Sequence, residues 1–185
     1  MAEDNSGRPT LRLSSTHRLF EMVEELMDDG QIYLWHDQDR RAFAIIQGNT
    51  HAENLSVRSP TFRSRMQEIF YTYEGAIVPE RSLKEVVDYL QGVAVLRGEN
   101  LTSAYRVSRQ NEAVLIDIGD SDWHYVEVTS EGWTLKRSKK PRFWRPEHTR
   151  PLPIPRKNED PGLLKKYLNI DSDEQFNLVL AWIIQ

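Results

Sequence analysis

Residues 113–136 read AVLIDIGDSDWHYVEVTSEGWTLK, and the way this stretch is divided decides the fold. The alternating runs AVLIDI, WHYVEV and GWTLKR are parted by Gly119-Asp120-Ser121-Asp122 and by Ser130-Glu131-Gly132, residue types that tolerate a tight backbone and hydrogen-bond to it. Short runs with separators of this kind predict an antiparallel meander. Toward the N-terminus, VAVL and SAYRVS extend the pattern, set off by Gly98-Glu99-Asn100 and Gln110-Asn111-Glu112, so the meander is expected over residues 93–144.

The same stretch holds Asp117, Asp120, Asp122 and His124. If Asp117 and His124 lie on flanking strands they can meet across the pair, as a metal or acid–base site requires. Asp120 and Asp122, however, sit with Gly119 and Ser121 where a turn needs such residues. Turn chemistry is therefore the favoured reading of Asp117, Asp120 and His124, and neither a catalytic role nor a metal is assigned to them. In WHYVEV, Trp123, Tyr125 and Glu127 share one face while His124, Val126 and Val128 share the other. Core packing is favoured over base stacking for these aromatics and for Trp133.

Upstream, Leu19, Phe20, Val23, Leu26 and Met27 recur at helical spacing between Thr16 and Asp28, with Gly30 beyond them. QIYLWHD and RAFAIIQG then predict a hairpin around Asp37-Gln38-Asp39-Arg40. Ser59-Pro60 is a capped helix start leading into Phe62, Met66, Ile69, Phe70 and Tyr73, with Gly75 as its stop. A further helix is expected from about Pro79 to Gln91, closed by Gly92. Arg58, Arg63 and Arg65 bring a DNA-reading helix pair to mind, but the second helix carries the balanced set Glu80, Arg81, Lys84, Glu85 and Asp88, which favours packing over groove insertion. The fold class is α+β: a flexible N-terminus at 1–15, a helical and hairpin region at 16–92, the meander, a proline-rich linker at 145–161 and a helical segment at 162–185.

A chain of 185 residues supports one good core or two small modules. The absence of cysteine excludes disulfides, thiol nucleophiles and cysteine-ligated clusters. No apolar run reaches the roughly 20 residues of a spanning helix, so no membrane partner is expected and a cytoplasmic setting is. No Gly-x-Ser-x-Gly, His-Glu-x-x-His or Gly-x-x-x-x-Gly-Lys-Ser/Thr motif occurs, and no cofactor is expected in this segment.

The main electrostatic signal is KRSKKPRFWRPEHTRPLPIPRK at 136–157, where nine Lys or Arg residues face the single acid Glu147, a local charge of 9 − 1 = +8 in a chain of net −4. Lys136, Arg137, Lys139, Lys140, Arg142, Arg145 and Arg150 supply charge for a phosphate backbone, and Phe143 and Trp144 supply stacking groups. The competing reading is a solvated proline-rich linker. At the C-terminus, Leu163–Leu168 predict a short helix and Asp171-Ser172-Asp173-Glu174 start another, QFNLVLAWIIQ. Its Leu178, Leu180, Trp182 and Ile183 form an interaction surface, and the apolar run meets Gln185 with no stop signal, as if the natural chain continued.

VLIDIGDSDWHYVEVTSEGW, PRFWRPEHTRPLPIP and LLKKYLNIDSDEQFNLVLAWII resemble, in that order, the segment that precedes the P-loop in bacterial and phage ATP-binding proteins of a replication or helicase-like type. RSPTFRSRMQEIFY and SLKEVVDYLQG are similar to the same proteins, so the resemblance spans about residues 30–185. Its most specific part is the Asp-x-x-Trp strand pair followed by Gly-Trp, Arg-Phe and Pro-Leu-Pro. The resemblance implies a non-catalytic accessory segment of a phage or mobile-element P-loop ATPase, with ATPase activity only where a downstream domain supplies the loop. The expected partners are nucleic acid and that domain. One alternative is a protein-interaction or homo-oligomerisation module. Another is a metal-dependent hydrolase or nucleotidyl-transfer enzyme using Asp117, Asp120 and His124.

Overall fold

Capping and periodicity place the first helix where expected. The computed structural model describes residues 14–184 except Arg142, Glu147 and Asn158. Within it, α1 spans Ser15–Asp28, and Ser14 caps it by accepting the His17 amide. The flexible start expected at 1–15 thus lies outside the described residues apart from Ser14 and Ser15.

The hairpin forms as β1 (Ile32–His36) and β2 (Ala42–Gln47), joined by a third strand, β3 (Ala52–Ser56), that the sequence reading missed. Next come α2 (Pro60–Glu74) and α3 (Glu80–Arg97). Ser59 caps α2 by accepting the Phe62 amide, and Gly75 ends it at φ 65°, a conformation that costs a side-chain-bearing residue strain. A short strand, β4 (Glu99–Asn100), returns parallel to β1, giving the sheet order β3-β2-β1-β4.

VAVL was expected as a strand and Gly92 as a helix end, and both expectations fail. The helix runs on through Gly92 to Arg97 because Leu90 and Ala94, four residues apart, are both fully buried on the same stripe. That packing outweighs the preference of valine for strands and the cost of one internal glycine.

Strand β2 is buried along nearly its whole length because both faces are covered. One face sets Ala42, Ala44 and Ile46, with Ile32 and Leu34 of β1, against α1, α2 and α3. The other presents Phe43 and Ile45 beside Trp35 and Ala52. Trp35 and Phe43 stack at 4.5 Å between ring centroids, and the Trp35 indole N–H donates to Asn54 at 3.0 Å. Removing rings of this size from water stabilises by about 1.5–3 kcal/mol each.

The meander is β5 (Val107–Gln110), β6 (Ala113–Asp117), β7 (His124–Thr129) and β8 (Gly132–Arg137), paired in chain order. Register puts Ser108 beside Leu115 and Asp117 beside Tyr125 on one face, with Ile116 beside Val126 on the other. The molecule is α+β, with two four-stranded sheets among the described residues.

Residues 153–185 form a separate unit. It holds a 3-10 helix over Pro161–Tyr167 and α4 over Asp173–Ile184. Within it Lys165 pairs with Asp173 and lies over the Phe176 ring, which is buried. No helix among the described residues is long and apolar enough to cross a membrane.

Candidate functional site

Asp117 closes β6 and is 1 % exposed. The turn after it is held from several directions. Gly119 adopts φ 76°, and a Cβ there would lie 2.7 Å from the Arg106 guanidinium. That guanidinium donates to the carbonyls of Asp117, Ile118 and Arg150. Asp120 accepts the His124 amide at 2.9 Å, and Trp123 is forced to φ 57°, an unusual conformation for a bulky residue.

Asp117 meets its countercharge from far along the chain. Arg145 donates through Nε to Oδ2 at 2.9 Å and through Nη2 to Oδ1 at 2.5 Å, a forked pair with side chains 12 % and 2 % exposed. Its Nη1 donates to the Asp120 carbonyl at 2.5 Å, and its guanidinium carbon sits 3.8 Å from the centre of the Trp123 ring. The fork engages both Asp117 oxygens and holds the arginine of the arm against the turn. Asp117 therefore works here as an anchor.

Asp120, Asp122 and His124 do converge, with ligand-type atoms within 4.8 Å of one another. Among the described residues they are the one group able to hold a metal ion. Their contacts are already committed, however. His124 Nδ1 lies 2.5 Å from Asp120 Oδ2, and Arg137 Nε lies 2.9 Å from His124 Nε2, so both ring nitrogens are already in contact with neighbouring side chains. Arg137 also lies 3.4 Å from Asp122. Burial works to raise the Asp120 carboxyl, but the His124 hydrogen bonds and the nearby charges of His124 and Arg145 outweigh it and hold the group below its ordinary value.

The basic arm follows β8. Lys136 pairs with Glu127, the Lys139 carbonyl accepts from Gln47 at 2.8 Å, and the Lys140 ammonium lies 4.4 Å from the Tyr33 ring centre. Arg142 lies outside the described residues. Phe143, expected as a stacking group, is 6 % exposed, bridges to Ala104, and accepts from Asn54 at 3.1 Å through its carbonyl.

Trp144, expected in the same role, is partly buried against Phe43 and Tyr105, with Arg41 over its ring at 4.8 Å. Trp144 thus packs on the second face of the first sheet and the Phe143 ring is buried, so neither stands out in solvent as a stacking group. Its ion pairs are Lys136–Glu127, Arg137–Asp122 and Arg145–Asp117, which leaves Lys139, Lys140 and Arg150 exposed and without one among the described residues.

Sequence reasoning missed a cavity of about 220 Å³ on the Asp117 face of the meander. Leu115, Trp123 and Phe143 give it apolar walls; Ser108, Gln110 and Tyr125 give it polar ones, with Lys140 also lining it. The signal was present in the alternation of Ser108, Leu115 and Tyr125 across neighbouring strands, but it needs the register to be read. On α4, Leu178, Trp182 and Ile183 are exposed while Leu180 is partly buried.

Comparison with known family models, with curated proteins and with solved structures returns no match.

Proposed function

We propose that this chain is a non-catalytic accessory domain that engages nucleic acid through the arm between Lys136 and Arg150, alongside a P-loop ATPase domain of the replication type found in phages and mobile elements. The ATP-consuming step belongs elsewhere in this reading, since no Gly-x-x-x-x-Gly-Lys-Ser/Thr loop occurs in these 185 residues. The observation that carries the proposal is the division of labour within the arm. Phe143, Trp144 and Arg145 pin it to the two sheets, while Lys139, Lys140 and Arg150 stay exposed and have no ion pair among the described residues. Cations on a segment already ordered lose less conformational freedom on meeting a phosphate backbone than cations on a loose linker.

Fluorescence anisotropy with single-stranded and duplex DNA across a salt series tests this reading. Affinity is expected to fall linearly on a log–log salt plot, with a slope of about 0.7 per phosphate neutralised on a single strand. Replacing Lys139, Lys140 and Arg150 together by glutamate is expected to flatten that slope by about 2. Binding that ignores salt, or none at low salt, would remove the proposal.

A second reading rests on the exposure of Leu178, Trp182 and Ile183, which are 72 %, 77 % and 56 % exposed on α4. An apolar strip of this kind fits a protein-interaction or self-association surface. Solution mass measured against concentration separates the two readings: self-association would appear as a rise that Trp182→Asp abolishes.

A further inference from the structure

We propose that the cavity on the meander seats one unstacked base of a single strand whose phosphates follow Lys139 and Lys140. This inference rests on the nucleic-acid reading above and names the form of nucleic acid it requires. At about 220 Å³ the cavity falls below the roughly 300–1,000 Å³ of sites for drug-sized ligands, so it suits one ring system at a time.

Its chemistry is that of a base pocket. Leu115, Phe143 and Trp123 provide apolar and aromatic walls. Ser108, Gln110 and Tyr125 make no side-chain hydrogen bond among the described residues, so their donors and acceptors are available to the polar edge of a heteroaromatic ring.

The wall is also preorganised. Trp123 is held at φ 57° while the guanidinium of Arg145 packs on its ring and the Arg145–Asp117 fork fixes that guanidinium. Lys140 lines the same cavity and is exposed, which places a cation beside the seated base where the phosphate of that nucleotide must pass. A duplex keeps its bases paired and stacked and cannot supply this occupant.

The test compares two fluorescent probes on the whole chain at one low salt concentration: a homothymidine strand of about 12 nucleotides and an abasic strand of equal length. The base-bearing strand is expected to bind about tenfold tighter or more, the contribution of a stacked base. Tyr125→Leu is expected to bring it down to the abasic level while leaving abasic binding unchanged. The double change Ser108→Ala with Gln110→Ala, at positions with no role in the core, repeats the test should Tyr125→Leu disturb folding. Equal binding of the two strands, or equal loss of both in the variants, would overturn the base pocket while leaving the cationic arm standing. Absence of binding by either strand would overturn both.

Discussion

Two buried aspartates, each tied to an arginine that rests on a tryptophan, sit at the strand ends of the two sheets, and they are built differently. In the first sheet Asp37 is 0 % exposed and takes Arg41, four residues on, whose side chain stays 36 % exposed and lies over Trp144. In the second, Asp117 takes Arg145, 28 residues on and 12 % exposed, packed on Trp123. The first assembly is a local hairpin device, since Asp37 also accepts the amides of Asp39 and Arg41. The second is a long-range fastening. Adjacent residues of the arm serve both sheets: Trp144 caps the reverse face of one and Arg145 locks the turn of the other. A segment marked by charge in the sequence acts in the fold as a rivet.

The sharpest way to break the comparison is to remove each aspartate. Asp117→Ala strands Arg145 in a largely dry site with one carbonyl partner left, and is expected to cost about 3–5 kcal/mol. A fall in the urea midpoint together with a change in tryptophan fluorescence checks this. Asp37→Ala is expected to cost less, about 1–3 kcal/mol, because Arg41 can turn into water and the loss falls mainly on amides left without an acceptor. Its urea midpoint should lie between those of Asp117→Ala and the unaltered chain. The reverse order would show that the local device, not the rivet, holds the molecule.

The smallest effect is in acid. Asp120 and Asp37 both have folded-state values below the ordinary carboxylate range. Burial opposes this in both, but hydrogen bonds from His124 and Arg41 outweigh it. A depressed carboxyl stabilises fully above its unfolded value of about 3.9 and loses that contribution as pH falls through the folded value. Urea midpoints are therefore expected to hold between pH 7 and 5 and to drop below about pH 4. Asp120→Asn should make that drop shallower without removing it, since Asp37 still titrates.

Much of the fold was legible because periodicity carries it. The meander strands β6, β7 and β8, the first hairpin, the helical stretch of α1 and the capped start of α2 all follow from alternation, helical spacing or a capping pair. β3 was not legible, since its sequence AENLS is largely polar and its buried Asn54 side chain finds its partners among the described residues at Trp35 and Phe143, 19 and 89 residues away. VAVL was misread because a short β-branched run has no period of its own, and only the burial of Ala94 makes it helix. At the candidate site, the turn character of Asp120 and Asp122 was readable, but the partner of Asp117 was not. Arg145 was assigned to phosphate because charge density in a sequence does not reveal which cations already have an acid waiting in the fold.

The rivet also imposes an order in time. As the chain is made from its N-terminus, the aromatic side of the first sheet, with Trp35 and Phe43, must wait about a hundred residues for Trp144 to cover it. Until residues 143–145 emerge, a greasy surface and an uncompensated acid stand open together on the nascent protein.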